Sequence, residues 1–401
     1  MLIALLPDEY LPSGTRVHSK MFHDLALELK KRGHQPIVIT PGSPFQNSKL
    51  VIDYVDGVEV WRFKSGYTRG VGMVRRAINE WLLPFRAWHA IKTKVKKNNF
   101  DVCINYAPTI FFGPLARRFR HRGTYVYLIL RDMFPQWIID QGLIKEKSIP
   151  AYFFRHYEKL NYHSADCIGV QSKANLDFFK AKFPLYKDVK ILRNWASTAA
   201  LPAAHYDKKL RIKLGITDKV VFFYGGNVGH AQDMENIMRL ARNLKSTDQA
   251  HFLIIGQGDE FNLIQDLKTE WELDNVTILP SVSQREFSRI LPIIDIGIFS
   301  LSYRHSAHNF PGKLLGYMAE SKPILGSVNP GNDLLQIINA SSSGLVFVNG
   351  EDKLLADSAI KLVFDSKFRT QTGSNARDLL LKEFSVESAV DDILYSIKGR
   401  V

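Results

Sequence analysis

The chain has 401 residues, 45% apolar and 11% aromatic, enough for two domains with full cores. Its net charge of +13 is uneven: residues 1–190 hold 30 Lys and Arg against 16 Asp and Glu, whereas residues 191–401 hold 23 against 24. An acidic partner is therefore expected for the first half only. No uninterrupted apolar run reaches the roughly 18 residues of a membrane-spanning helix. The opening Met1 to Pro7 is too short for a secretion signal and lacks a basic start. Cys103 and Cys167 lie in apolar runs without metal-ligand spacing, which suits a reducing cytosol.

Short apolar runs alternate with helical patterns along the whole chain. A strand at 2–6 precedes a helix at 17–32, then strands at 36–40 and 58–63 and a helix at 76–98. Strands at 102–106, 125–130, 167–170 and 189–192 follow, separated by helices at 109–122, 151–164 and 174–182. After a stretch rich in Ala, Pro and Ser at 194–208, strands at 220–224, 251–255, 276–279, 294–299, 323–327 and 344–347 alternate with helices. This pattern predicts an α/β protein of two Rossmann-like doubly wound domains with parallel sheets. The expected bounds are 1–195, 205–375, and a closing segment, 376–401, whose last helix caps either domain. Ligands of such sheets bind beyond the C-terminal strand ends, and with two domains the cleft they face is the expected site.

The loops after the strands carry the candidate chemistry. In the loop at 8–16, Gly14 permits a close backbone approach, Thr15 can cap the following helix, and Arg16 can pair with phosphate; an ordinary turn with a solvated arginine is the plainer reading. Asp132, in Arg131-Asp-Met-Phe-Pro135, falls at a strand's C-terminal end, where a carboxylate can accept a proton or a sugar hydroxyl; it equally suits a turn-initiating aspartate. Tyr224-Gly-Gly-Asn-Val-Gly229 and Ile255-Gly-Gln-Gly-Asp259 are glycine turns on adjacent strands, each a weak signal alone, whose backbone amides can face an anion. The segment 305–327 predicts a loop, a helix start with Asn309 as cap and Pro311 in the first turn, and a buried strand. Leu314, Leu315, Tyr317 and Met318 form the helix's apolar face. Lys313 places a cation at the helix N-terminus, which is locally unfavourable unless an anion binds there; that predicts a phosphate site.

Residues 69–97 interleave Arg75 and Arg76 with Trp81, Leu82, Leu83, Phe85 and Trp88, a mixture suited to an anionic membrane surface. The plainer reading makes the apolar residues core and the basic ones a solvated face. Nucleic acid would also attract the charge, yet no recognisable nucleic-acid motif occurs, and none is expected as partner. The chain has no Asp-x-Asp, no metal-spaced cluster and no Gly-x-Ser-x-Gly; His305 and His308 lie in a loop without a partner set and read as non-metal.

Taken in order, these segments resemble the family-4 retaining glycosyltransferases of GT-B architecture. The residues that carry the resemblance are Leu25-Ala-Leu-Glu-Leu-Lys-Lys-Arg-Gly-His34, Ser164-Ala-Asp-Cys-Ile-Gly-Val-Gln-Ser172, the two glycine turns, and Phe310-Pro-Gly-Lys313 with Tyr317-Met-Ala and Lys322-Pro323. The resemblance implies a nucleotide-sugar donor held mainly by the second domain and an acceptor held by the first. It implies no cofactor and no metal, the diphosphate being met by cations and helix N-termini. Carried over, the donor site would comprise Gly14, Thr15, Gly226, Asn227, Gln257, Val282, Asn309, Phe310, Pro311, Gly312 and Lys313. Arg16 and Lys313 would stabilise the leaving group, Asp132 would orient a hydroxyl or the donor sugar, and Arg75, Arg76, Trp81, Phe85 and Trp88 would meet the membrane or acceptor.

Two departures stand out. Many members carry a pair of glutamates where this chain has His308 and Gly316, and the second normally holds the donor ribose. Many also have Arg and Lys where this chain has Asn227 and Gln232. Gly-Asn-x-Gly, Asp-x-x-Pro and Pro-x-Lys resemble a subgroup that builds bacterial O-antigen and capsule, nearest to L-N-acetylfucosaminyltransferases. That implies a UDP-N-acetyl-L-fucosamine donor, a polyprenyl-diphosphate-linked saccharide acceptor, and a peripheral place on the cytoplasmic face of the inner membrane. A UDP-sugar epimerase of the same architecture and a non-catalytic basic membrane adaptor are the rival readings; isomerisation without acceptor, or vesicle binding without UDP-sugar binding, would separate them.

Overall fold

The computed structural model describes residues 1–398 apart from 13, 15, 16, 69, 108, 141–143, 199–206 and 305–309. It contains two compact units, residues 1–195 with 386–401, and residues 196–385. In the first, strands β1 (Leu2–Leu6), β2 (Gln35–Gly42), β3 (Leu50–Val55), β4 (Val58–Lys64), β5 (Val102–Ala107), β6 (Tyr125–Leu130), β7 (Cys167–Val170) and β8 (Val189–Ile191) form one sheet in the order β3-β4-β2-β1-β5-β6-β7-β8. Its helices are α1 (Val17–Lys31), α2 (Met73–Lys97), α3 (Gly113–Arg120), α4 (Gln136–Asp140), α5 (Ile149–His163) and α6 (Lys173–Lys182).

All pairings are parallel except β3 with β4. Helices therefore cover both faces, and the central strands read as continuous apolar runs; every residue of β5 and β6 is buried. On one face α1 inserts Met21, Phe22, Leu25, Ala26 and Leu29, spaced three or four apart, into a cluster with Val102, Ile104 and Tyr127. On the other, α2 and α3 contribute Leu83, Ala87, Ile91, Leu115 and Phe119.

The second unit has a six-stranded parallel sheet in the order β11-β10-β9-β12-β13-β14. Its strands are β9 (Val220–Asn227), β10 (Ala250–Gln257), β11 (Val276–Pro280), β12 (Ile296–Ser300), β13 (Ile324–Val328) and β14 (Gly344–Val348). Around it lie α7 (Lys208–Lys213), α8 (Met234–Asn243), α9 (Phe261–Glu270), α10 (Gln284–Ile290), α11 (Lys313–Ala319), α12 (Asp333–Ala340), α13 (Asp352–Phe364) and α14 (Ser366–Glu383). The last helix, α15 (Val386–Ile397), returns to the first unit, where Val390, Ile393 and Ile397 join the α1 cluster and Arg32 Nη1 bonds Asp391 Oδ1 at 2.5 Å.

Three expectations change. The antiparallel strand β3 was not anticipated; it pairs with β4 through a two-residue turn in which Asp56 (φ 48°) and Gly57 (φ 73°) are both left-handed. The chain returns to the first unit at Val386, not 376, because α14 belongs wholly to the second. The stretch at 194–208 is not all linker. Trp195 is buried, its Nε1 donates to the Met21 carbonyl at 2.8 Å, and the Arg131 guanidinium lies 5.4 Å from its ring. Arg131 also donates to the Leu192 and Arg193 carbonyls, which makes it a brace for this exit, and burial lowers its pKa to about 10.

Buried Arg211 plays the matching part in the second unit. It donates to the Ile216, Lys219 and Ile293 carbonyls and to Asp295, which also accepts from the Val221 amide. Arg211→Met would strand these acceptors and one carboxylate, so it is expected to lower stability by about 3–5 kcal/mol in urea unfolding; a loss below about 1 kcal/mol would contradict this role.

Candidate functional site

The second unit's glycine turns meet at the C-terminal ends of β9 and β10, where Gly226 is in register with Gly256 and Asn227 with Gln257. A Cβ at Gly256 would lie 2.0 Å from the Gly226 carbonyl oxygen, so only glycine lets the strand ends approach this closely. Gly226 itself has φ 129°, and a Cβ there would stand 3.5 Å from Cε and 3.6 Å from Nζ of Lys313. The Lys313 ammonium lies 3.3 Å from the centre of the Tyr224 ring. Tyr317, one turn further along α11, is buried, and its hydroxyl accepts from the Gly225 amide at 3.2 Å. Gly297 on β12 makes room for that ring, since a Cβ there would fall 2.2 Å from it. Three bare glycines and one tyrosine thus fix Lys313 against the turn.

The electrostatics of this arrangement are one-sided. Burial holds the Lys313 pKa well below the usual lysine range, and among the described residues no carboxylate pairs with it. The nearby acids are committed elsewhere: Glu260 accepts from the Met234 amide at 3.0 Å and from His230 at 2.8 Å, which raises the His230 pKa, and Asp259 stands 3.3 Å from the same ring. Asn227 donates to Gln232 at 2.7 Å, so those two side chains satisfy each other. Gln257, exposed, accepts from Ser281 at 2.8 Å and ties the 256–258 turn to the 280–283 loop.

Several predicted positions play other parts. Thr15, Arg16 and Asn309 lie outside the described residues, as do His305 and His308. Helix α11 begins at Lys313 with Gly312 as its N-cap, so Pro311 precedes the helix rather than opening it. Phe310 stacks on Phe384 at 4.6 Å, and Val282 packs in the same apolar cluster; both are packing residues here. The close approach that Gly14 permits is to Ser19, whose Oγ would lie 2.4 Å from an added Cβ, not to an open surface. At Gly316, where a ribose-holding glutamate was missing, a Cβ would meet Leu291 at 3.4 Å. With only seven residues, α11 has a weak dipole, and the full charge of Lys313 dominates the anion-binding potential.

In the first unit, Asp132 stands exposed just past β6. The surrounding protein raises its carboxyl pKa, and the charges of Arg131 and His18 partly offset this. His18, in the first turn of α1, had no predicted role. Its Nε2 lies 3.0 Å from Asp8 Oδ1, and its ring 5.2 Å from that of Tyr106 on β5. Asp8, His18 and Asp132 therefore gather past the ends of β1 and β6, which flank β5; an aspartate just after β1 and a histidine in the first turn of the next helix were the available signal. Buried Tyr10 bonds His23 at 2.8 Å, and His23 bonds Asp56 at 2.9 Å, which anchors the loop between β1 and α1.

On α2, Arg75 is exposed and Arg76 pairs with Glu80 at 2.8 Å. Trp81 and Phe85 are exposed with ring centres 5.7 Å apart, and Trp81 Nε1 donates to Tyr157 at 2.5 Å. Trp88 differs from expectation: it is partly buried in the core cluster with Arg118 stacked 5.2 Å above it. Exposed Val74 and Ile78 extend the apolar stripe instead.

An uncompensated lysine disfavours its own site. In the folded state its pKa is lowered, so the unfolded chain binds the extra proton and stability rises with pH through the window between the two values. Lys313→Met, apolar and of similar length, is therefore expected to unfold at no lower urea concentration than the parent at neutral pH, and to lose that rise. A loss above about 1 kcal/mol would mean that the ammonium has a stabilising partner. Tyr317→Phe, in contrast, leaves the Gly225 amide unpaired and is expected to cost about 1–3 kcal/mol.

Known proteins with the same fold match both units in one alignment. Sucrose-phosphate synthase from Thermosynechococcus elongatus superposes with TM-score 0.69 at 15% identity over 98% of each chain. HepE of Anabaena in complex with UDP-glucose gives 0.66 at 14% identity over 100% of each. WaaG, a glycosyltransferase involved in lipopolysaccharide biosynthesis, gives 0.61 at 16% over 99% of this chain and 100% of that one. In sequence, a Pseudomonas aeruginosa protein named glycosyltransferase WbjE is 25% identical over 218 residues, 54% of each chain, and WcaI of Escherichia coli K12, named for colanic acid biosynthesis, is 24% identical over 225 residues, 55% of each. The chain thus spans about half the length of the curated relatives it matches. Residues 19–199 match the family described as Glycosyltransferase Family 4, and residues 207–379 match Glycosyl transferases group 1. In the GT-B fold, then, the chain carries a family 4 glycosyltransferase domain followed by a group 1 glycosyl transferase domain.

Proposed function

We propose that this chain is a metal-independent retaining glycosyltransferase that moves a sugar from a UDP-sugar to a polyprenyl-diphosphate-linked saccharide at the cytoplasmic face of a bacterial membrane, in O-antigen or capsule assembly. N-acetyl-L-fucosamine is the donor sugar that the sequence resemblance favours. The observation that carries the reading is the uncompensated Lys313 at the Gly225–Gly226 turn, a cation whose burial disfavours its charge until an anion arrives. A diphosphate supplies that anion. As the bond between the sugar's anomeric carbon and the β-phosphate oxygen breaks, negative charge grows on the leaving UDP, and the Lys313 ammonium stabilises it more than it stabilised the bound donor. Arg16 is the second proposed cation. The acceptor hydroxyl attacks the same face, and its proton passes to the leaving phosphate, which retains configuration. Asp132, with His18 beside it, orients a hydroxyl. HepE, whose structure holds UDP-glucose, and WaaG, named for lipopolysaccharide biosynthesis, support the donor class and the setting.

The reading has a binding signature. If Lys313 meets the diphosphate, Lys313→Met is expected to abolish most UDP affinity in calorimetry. Catalytically, Lys313→Ala and Arg16→Ala are each expected to reduce UDP release with a polyprenyl-linked acceptor by about 100-fold or more. Full activity in both variants would remove the phosphate assignment, and UDP-sugar isomerisation without acceptor would replace the transferase with an epimerase.

A further inference from the structure

The first unit contains a cavity of about 390 Å³ lined by Pro44, Lys49, Lys64, Ser65, Gly66, Arg86 and His89. Four of these carry or can carry positive charge, none is acidic, and none of the four pairs with a carboxylate among the described residues. Lys49 Nζ donates to His89 Nε2 at 2.8 Å, so two basic groups converge with nothing of opposite sign between them. The remaining wall is firmly placed. Arg86 Nη1 donates to Asn79 Oδ1 at 3.3 Å, and Asn79 Nδ2 donates to the Tyr67 carbonyl at 2.8 Å. A Cβ on Gly66 would lie 2.2 Å from that same Asn79 oxygen, so glycine lets the 65–67 loop close onto α2. Asn79 thus aims Arg86 while it holds the loop.

The rim of this cavity is apolar and exposed. Phe45 is 77% and Tyr67 43% exposed, with ring centres 5.9 Å apart. Along α2, Val74 (75%), Ile78 (51%), Trp81 and Phe85 follow helical spacing on one face, and Arg86 and His89 come next around the helix. Exposed aromatics beside a basic hollow match the depth profile of a bilayer interface, where rings sit among headgroups and cations meet phosphates.

We propose that this cavity binds a lipid-borne phosphate or diphosphate group while the α2 stripe and the Phe45–Tyr67 pair rest in the bilayer interface. The site rests on the membrane reading above and deepens it. It makes the contact a specific pocket rather than a diffuse positive surface, and it sits in the unit assigned to the acceptor.

The test uses the full chain and co-sedimentation with phosphatidylcholine vesicles holding about 20 mol % phosphatidate. Three proteins are compared: the parent, Lys49→Gln/Lys64→Gln, and the charge-matched Lys180→Gln/Lys187→Gln, whose lysines lie on or just after α6 near the opposite edge of the sheet. The pocket variant is expected to bind about tenfold or more weakly, and the control within about twofold of the parent. Inorganic pyrophosphate should displace the parent from vesicles. Equal losses in the two variants, or unchanged binding of the pocket variant, would overturn the pocket in favour of general charge. Tight pyrophosphate binding with no preference for phosphatidate vesicles would overturn the lipid-borne source and leave a soluble phosphate ligand. UDP calorimetry on the same proteins should be unchanged; its failure in all three counts against the transferase reading alone.

Discussion

Lys313 lies over the Tyr224 ring beside the Gly225–Gly226 turn, and the close approaches at Gly256 and Gly297 shape the elements that carry both residues. Gly226 has φ 129°, a backbone that favours glycine, Gly297 must lack a Cβ for Tyr317 to fit, and Tyr317 must fit to bond the Gly225 amide. A lysine so placed destabilises the empty site, because burial disfavours charge and the ring quadrupole supplies only a modest attraction. The arrangement makes sense as preorganisation: part of the desolvation is incurred on folding, so an arriving anion meets an oriented amine. The same logic accounts for the missing helix cap at Gly312, since a side-chain cap would place its own oxygen among the amides that an anion would use.

The first unit has a different electrostatic character. Its excess charge is spread over α2, α3 and the β3–β4 edge, and it leaves cavities lined by basic groups without acids. Besides the one at Lys49, a second of about 310 Å³ is lined by Arg117, Arg118 and His121. Asp8, His18 and Asp132 bring mixed charge together where strands β1 and β6 end. A positive face beside a small cluster that can exchange hydrogen bonds with hydroxyls suits a large anionic acceptor whose reacting end is neutral.

How much of this was legible in the sequence depends on whether a feature is local. Parallel strands buried on both faces produce long apolar runs, so β6 and β7 could be bounded to the residue. Strand β3 escaped because one face is partly open and Asp53 and Tyr54 break the run, yet Asp56-Gly57 is a strong hairpin signal that could have revealed it. Lys313 and the two glycine turns were visible because a cation beside a helix start violates a local rule. The packing of Phe310, Val282 and Trp88 was not legible because their partners, Phe384, an apolar cluster and Arg118, are distant in sequence or carry no periodic mark. His18 was invisible for the same reason: its meaning comes from Asp8 and Asp132, which only the sheet order brings near.

The replacement of a ribose-holding glutamate by Gly316 constrains what the second unit can recognise. A glutamate there would add a negative charge one turn from Lys313, and its Cβ would stand in ordinary contact with Leu291 at 3.4 Å. Its absence removes both the carboxylate that would fix a ribose and the one that could have neutralised the lysine. On the proposed reading the site selects phosphate more strongly than sugar or base, and neighbouring backbone discriminates among nucleotides. The paired 256–258 and 280–283 loops, joined through Gln257 and Ser281, offer such a frame. Recognition of the transferred sugar then falls largely to groups outside this turn, so donor choice and phosphate affinity can vary independently. On the proposed reading that separation follows from a single missing carboxylate, and a chain without the familiar pair of glutamates keeps, in Lys313 and its glycine turn, the group assigned to a leaving diphosphate.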